Sequence, residues 1–253
     1  MCFYFKQSKE ALEVANRFKL TIPETDTYVN PVIYNAFSHP LCETITSTNP
    51  SCITRLSWGL IPQWASDKSI REKTLNARIE TADKVKSFKN QINNRCIVIA
   101  DGFYEWKHLK TLAGNKLQKF LITSAEDNLF AFAGIYSFWY SAESNENIGT
   151  FSILTTAANE LMSEIHNTKK RMPVILKKMD EQSWLQGTDL REFAYPYSVN
   201  LIASQVKDNY KIKRGDTLGA IATRNGVSLK QLCDLNNITK NTTLKIGRTL
   251  RIS

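Results

Sequence analysis

Cys96–Lys107 reads CIVIADGFYEWK, and its pattern decides the fold class. The apolar run at its start is rich in β-branched residues, which favour extended backbone. We read Cys96–Phe103 as one strand-forming run. From Ala100 to Lys107 the chain alternates, so Phe103 and Glu105 share one face of a strand while Tyr104 and Trp106 share the other. An acid on an otherwise apolar face takes a raised pKa and can move protons. The same Glu on an edge strand is simply solvated.

Further short β-rich runs lie on both sides: Val32–Phe37, Ile53–Leu60, Lys119–Thr123, Phe130–Trp139 and Phe151–Thr155. Several end at Gly, Pro, Asn or charged clusters, as strands of a mainly antiparallel sheet or barrel do. Helical patterns are few. Residues 8–18 suit an amphipathic helix capped by Ser8, with Ala11, Leu12, Val14, Ala15 and Phe18 for its apolar side. Residues 157–166 suit a second helix, capped by Thr155 or Thr156. Arg171–Leu176 reads as a turn and strand, Glu181–Gln186 as a short helical piece, and 187–208 as a docked strand or loop followed by a linker. The expected fold class is α+β, a mainly antiparallel β barrel or sheet with flanking helices.

Near residue 209 the pattern changes. Tyr210–Lys213 is a short strand, Gly215-Asp216-Thr217 turns into a helix reaching about Thr223, and Gly226 ends it. Ser228 caps a second helix with Leu229, Leu232 and Leu235 near helical spacing, and Leu250–Ile252 closes the unit. This β-α-α-β order, with Tyr210, the GDTL turn at 215–218, Ile221-Ala222, Gly226-Val227-Ser228, Leu232, Asn236, Leu244, Gly247 and Leu250, resembles the LysM family. That resemblance implies a ligand such as an N-acetylglucosamine-containing glycan. The residues alone also fit a small basic stability or interaction module.

Charge divides along the same line. The chain carries a formal +9, but residues 209–253 hold nine Lys/Arg and two Asp, a net +7. The rest is nearly neutral, so its net charge does not by itself make it a nucleic-acid binder. The five cysteines are scattered without a C-x-x-C pair, and the three histidines lack ligand spacing. A disulfide framework, a metal site or a cofactor is therefore not expected. No apolar run approaches the ~20 residues of a membrane span. The charged N-terminus lacks a signal-peptide core, so a cytoplasmic protein without membrane contact is expected.

Four positions carry chemistry. Cys2 follows Met1 and is small enough for efficient removal of the methionine. The exposed α-amine has a pKa near ~8 and the thiol about 8.5. On adjacent carbons the two can capture one aldehyde, the amine as a Schiff base and the thiol by closing a thiazolidine ring. An ordinary small residue on a first strand is the plainer alternative. Glu105 is the acid described above. In LNARIET (75–81), Asn76 and Arg78 fall on one face if extended, placing an amide beside a guanidinium fit for phosphate; a polar loop is the alternative. His166 ends a helix ahead of Arg171-Met172-Pro173, as an acid–base or as a complement to the helix dipole.

Taken with WGLIPQW (58–64), the order Met-Cys, WGLIPxW, NARxET, ADGFYEW and IH followed by RMPVIL resembles the SOS response-associated peptidase family, across roughly residues 1–205. The domains expected are thus 1–205, SRAP-like, and 206–253, LysM-like. The resemblance implies a DNA-damage protein of the SOS response, acting on abasic sites in single-stranded DNA by covalent linkage. In that family Cys2 is the nucleophile after Met1 removal, Asn76 holds the N-terminal residue and sugar, Glu105 shuttles protons, and His166 contacts the opened sugar. Arg78 and Arg171 are implied as phosphate contacts, and Trp58, Trp64 and Trp106 as stacking or wedging residues. An autoproteolytic hydrolase or lyase activity is implied as well, in a monomer.

The chain departs from the family where it begins Met-Cys-Phe-Tyr rather than Met-Cys-Gly-Arg, with Lys6 left to replace the arginine. The stretch between His166 and Arg171 (NTKK) is also longer. Two other functions stand beside this one: a thiol peptidase acting on proteins, and a LysM-led glycan-binding protein.

Overall fold

A computed structural model describes residues 2–21, 33–111, 114–206, 209–225 and 227–252. In chain order the elements are β1 (Tyr4–Lys6), α1 (Ala11–Phe18), β2 (Ile33–Asn35), β3 (Leu41–Thr46), β4 (Asn49–Trp58), β5 (Asn76–Arg78), β6 (Arg95–Ala100), β7 (Gly102–Thr111), β8 (Gly114–Ser124), β9 (Phe130–Ser141) and β10 (Glu146–Ala157). Then follow α2 (Glu160–Ile165), β11 (Arg171–Pro173), β12 (Ile175–Leu176), α3 (Glu181–Leu185), β13 (Leu201–Gln205), β14 (Asn209–Lys211), α4 (Leu218–Asn225), α5 (Leu229–Asn236) and β15 (Thr249–Arg251).

The expected α+β class is what the structure shows. One sheet runs β13-β8-β7-β1-β2. The other runs β11-β10-β4-β3-β6-β9-β12, and an additional β10–β9 pairing joins β10, β4, β3, β6 and β9 into a closed ring. Closure leaves those strands without an open edge. Pairing is mostly antiparallel, but β10 meets both β4 and β5 in parallel.

Strand β6 shows why the apolar run is continuous rather than alternating. Cys96, Val98 and Ala100 enter one core cluster with Phe5, Phe103 and Ile122 of the other sheet. Ile97 and Ile99 enter a second cluster, which also holds Val14, Ala15 and Trp184. A strand covered on both faces has no solvent side to alternate with. The run Cys96–Phe103 is not one strand, however. It breaks at Asp101, and Gly102 begins β7 in the other sheet. Asp101 anchors that break, accepting from Lys6 Nζ at 3.1 Å and Ser8 Oγ at 2.6 Å.

Two caps differ from expectation. Ser8 bonds Asp101 instead of capping α1, whose N-cap is Glu10 without a side-chain bond. Thr155 and Thr156 are still in β10, and Asn159 caps α2 by accepting from the amide of Met162 at 2.9 Å. In both cases a long-range partner or a longer strand takes the residue that local pattern had assigned to the cap. Val14 and Ala15 of α1 are buried, while Leu12 is exposed.

The C-terminal unit packs its own cluster of Ile212, Leu218, Ile221, Leu232, Leu250 and Ile252. Ser228 forms a capping box with Gln231 on α5. The helix end assigned to Gly226 lies outside the described residues. No described helix is long and apolar enough to cross a membrane.

Gly59 in the WGLIP stretch has φ +112°, a conformation that L side chains rarely adopt. A Cβ there would lie 2.9 Å from His39 Nδ1 and 3.1 Å from the Arg71 carbonyl oxygen. Gly59→Ala is expected to lower the unfolding free energy by ~2 kcal/mol or more through backbone strain and crowding. Urea unfolding checks this, and an unchanged midpoint would contradict it.

Candidate active site

Cys2 lies just before β1, and the sheet register determines its neighbours. Phe5 pairs with Phe103 and Lys6 with Gly102. Continued toward the N-terminus, that antiparallel register brings Phe3 level with Glu105. The Tyr4 and Trp106 rings meet at 5.3 Å on the outer face of the same two strands. Glu105 therefore faces inward, 4% exposed, while Trp106 is half-exposed on the other side.

Asn76 reaches Cys2 from the other sheet. Its Nδ2 donates to the Cys2 carbonyl at 3.0 Å. Its Oδ1 is buried without a hydrogen-bond partner among the described residues. The segment is held by β5–β10 pairing and by Trp58, whose Nε1 donates to the carbonyl of Leu75 at 2.8 Å. Trp58 is fully enclosed and stacks on Phe151 at 6.0 Å. The expectation that it stacks on bases is thus corrected: it braces the strand that carries Asn76.

Both reactive groups sit where charge is disfavoured. Burial, and then the negative charge of Glu105, push the Cys2 thiol far above its ordinary range. Burial pushes the Glu105 carboxyl up. Cys2 itself is completely enclosed.

His166 ends α2, whose Met162 and Ile165 share a core cluster with Cys2 and Phe103. Burial pushes its imidazole down to about 4, so it is neutral near pH 7. His166 Nδ1 lies 2.8 Å from the carbonyl oxygen of Arg171 and 3.2 Å from its amide nitrogen. It cannot serve both at once: with Nδ1 protonated it donates to the carbonyl and leaves Nε2 an acceptor, and in the other tautomer it accepts from the amide.

The longer NTKK stretch proves to be tied down. Asn167 Oδ1 accepts from the amide of His108 at 3.1 Å, and its Nδ2 donates to the His108 carbonyl at 2.8 Å. This clamp joins the turn after His166 to β7, the strand carrying Glu105. Sequence reading missed it, because an amide reaching 59 residues back along the chain leaves no local signal.

Arg171 is a second correction. Its side chain is 9% exposed, and Nη2 donates to the Thr155 carbonyl at 2.7 Å and to Thr155 Oγ1 at 2.6 Å. It points inward to β10 and to Glu80, 3.5 Å away, not outward to phosphate. Glu80, also overlooked in the sequence, accepts from Thr156 Oγ1 at 3.0 Å and from the amide of Ala157 at 3.1 Å. Arg78, by contrast, is 61% exposed. Arg171→Ala is expected to destabilise the fold by ~2–3 kcal/mol, the scale of hydrogen bonds to a charged group. Arg78→Ala should stay within about 0.5 kcal/mol. Parallel urea titrations of the two variants check the contrast, and equal losses would refute it.

Trp64 is 47% exposed, with Lys86 Nζ 4.5 Å above its ring. Lys6 is engaged by Asp101 rather than standing alone in place of an N-terminal arginine. Lys119, unnoticed in the sequence, is nearly buried and lies over the Tyr104 ring at 4.4 Å and the Trp106 ring at 5.6 Å. Burial lowers its ammonium to about 8.

An enclosed second-residue cysteine, a buried acid and an asparagine gripping the cysteine carbonyl, set between a closed β ring and a second sheet, define a recognisable class. A family model described as SOS response associated peptidase (SRAP) matches residues 1–211, and the chain belongs to that family. A LysM domain model matches residues 210–253. The chain is 37% identical over 209 residues to the abasic site processing protein YoqW of Bacillus subtilis (strain 168), covering 79% of this chain and 89% of that protein. It is 32% identical over 158 residues to the abasic site processing protein HMCES of Gallus gallus, covering 53% of this chain and 45% of that protein. A crystal structure of a protein from Bacteroides thetaiotaomicron superposes with TM-score 0.74 at 31% identity, covering 82% of this chain and 93% of that one.

Proposed function

We propose that this protein captures abasic sites in single-stranded DNA as a covalent thiazolidine at Cys2, with residues 1–205 carrying the chemistry and 206–253 forming an appended unit. The observation that carries this reading is the grip of Asn76 on the Cys2 carbonyl beside the buried acid Glu105. The relatives above are named for processing abasic sites, which supports the abasic-site part of this reading.

While Met1 is attached, the Cys2 nitrogen is an amide and cannot attack a carbonyl. Removal of Met1 frees an α-amine with a pKa of ~8. That amine adds to C1′ of the ring-opened deoxyribose and, with loss of water, forms an imine. Cys2 Sγ then adds to the same carbon. A C–S bond forms, the C=N electron pair returns to nitrogen, and the thiol proton passes through Glu105 to that nitrogen. A carboxyl whose pKa burial has raised suits this transfer, because it holds a proton more readily than a solvated carboxylate and can pass it on. Asn76 Oδ1 supplies an acceptor for the amine. Neutral His166, in the tautomer whose Nδ1 donates to the Arg171 carbonyl, presents Nε2 as an acceptor for the sugar hydroxyl released on ring opening. Arg78 and Trp64, both exposed, and Trp106, half-buried, are the side chains offered to phosphates and bases.

The test is a denaturing gel of the full-length protein with single-stranded DNA holding one abasic site, alongside the intact mass of the protein. A heat-stable adduct formed by protein lacking residue 1 is expected. An adduct formed at full yield by protein that retains Met1 would overturn the mechanism. The LysM match supports a second ligand class, N-acetylglucosamine-containing glycans, for the C-terminal unit.

A further inference from the structure

Four residues, Asn167 to Lys170, join His166 to Arg171. Thr168, Lys169 and Lys170 are exposed, and Lys170 takes a left-handed φ of +46°. Backbone bonds tie the far end of this turn. The Lys170 amide donates to the His166 carbonyl at 2.9 Å, and the Ala158 amide donates to the Lys170 carbonyl at 3.0 Å. Helix α2, which precedes the turn, has only six residues, too few to hold its shape without packing. His166 therefore stands between a short helix and an exposed turn.

Asn167 is half-buried and reaches across to β7, where its amide engages both backbone groups of His108. The sheet register explains why those groups need a partner. Strands β1 and β7 pair Phe5 with Phe103 and Lys6 with Gly102. Continued toward the N-terminus, that register sets Cys2 level with Trp106, and β1 runs out before His108. On the other side His108 is level with Leu117 of β8. The Asn167 amide, a donor and an acceptor in one plane, stands in for a strand residue beyond the end of β1.

The clamp thus joins the residue after His166 to the strand that carries Glu105. Two hydrogen bonds fix both a distance and a rotation, where one would leave the turn free to swing. Met162 and Ile165 set the body of α2 against Cys2 and Phe103, and the clamp fixes its end. The result is a buried His166. Burial first, then the charges of the chain's N-terminus, Lys169 and Arg171, hold its imidazole at about 4, against the pull of the Arg171 carbonyl. Glu105 is the buried acid on the strand packed against α2.

We infer that Asn167 is a positioning residue for the capture reaction, holding the His166 imidazole against the strand of Glu105 through its grip on the His108 backbone. This role rests on the reading of His166 as acceptor for the hydroxyl of the opened sugar. The lengthened NTKK turn then carries its own brace.

The test is Asn167→Ala in the full-length protein. Single-turnover adduct formation on abasic single-stranded DNA should slow ~10-fold at pH 7, within the loss that misplacing a reacting group by up to ~1 Å brings. Binding of an undamaged strand, read by anisotropy, should stay within about twofold, because the brace acts on the reaction and not on uniform binding. A second readout uses no DNA. With the brace gone, water reaches the ring. In protein with ¹³C-labelled histidine, the His166 signal, assigned by its loss in His166→Gln, should titrate above the native value, toward the ~6.5 of a solvated imidazole. An imidazolium cannot accept from the sugar hydroxyl, so the rate deficit should widen as pH falls through that value. His108→Ala keeps the backbone groups that Asn167 holds and should leave both readouts unchanged.

A native adduct rate or a native His166 titration in Asn167→Ala would overturn the inference. So would a rate loss matched by an equal loss of strand binding, which would make Asn167 a DNA contact. If the native protein forms no adduct, the covalent reading fails, and the titration still decides whether Asn167 holds the ring. A native protein that forms the adduct, beside a variant that is equally fast, sinks this inference alone.

Discussion

Cys2→Ala should abolish the heat-stable adduct with abasic single-stranded DNA, and Cys2→Ser should fail to restore it. The two variants separate the two halves of the capture. Both retain an α-amine after Met1 removal and can form an imine, which hydrolyses on denaturation. Neither has the thiol that closes the ring. Borohydride added during the reaction would reduce the imine to a permanent amine link. Trapping of Cys2→Ser with borohydride, and no adduct without it, is the expected pattern. A heat-stable adduct from Cys2→Ala without reductant would place the nucleophile elsewhere. The side chain is wholly enclosed within the cluster that holds Phe5 and Phe103. Cys2→Ala therefore leaves a small void, and its effect on stability should be modest beside the loss of the adduct.

Glu105→Gln should slow adduct formation by ~10²–10⁴-fold, the usual contribution of a positioned acid–base. It should also make the protein more stable at neutral pH. The sign follows from burial, which raises the carboxyl pKa of the folded state above that of the unfolded chain. The folded protein binds this proton more tightly, so the stability linked to it is complete below the unfolded value, near ~4.3, and is lost as pH rises through the folded one. Gln has nearly the same shape and no charge to desolvate. The melting temperature of Glu105→Gln should exceed that of the native protein at pH 7, with the gap closing as pH falls toward 4. A variant that is slow but no more stable would mean that Glu105 is well solvated as a carboxylate in the folded protein. His166, at about 4, should add no kinetic break near pH 6.5.

Much of this was legible along the chain because it follows from local periodicity. Alternation placed Glu105 and Trp106 on opposite faces, and the structure buries one and half-exposes the other. Asn76 and Arg78 do lie in a strand, with Ala77 buried between them. The small C-terminal unit has the expected order of strand, two helices and strand, since its caps and core positions lie within a few residues of one another.

What needed the folded molecule involves partners far apart in the chain. Asp101 turns one apolar run into strands of two sheets by holding Lys6 and Ser8. Trp58 and Arg171 look like surface binders in sequence, but packing turns each inward onto a backbone carbonyl. Asn167 clamps the His166 turn to His108, and Asn76 reaches 74 residues back to the carbonyl of Cys2. Periodicity tells a side chain which face it shares with its neighbours. It carries no information about which distant backbone closes over that face, and that closure is what sorts buried braces from exposed contacts.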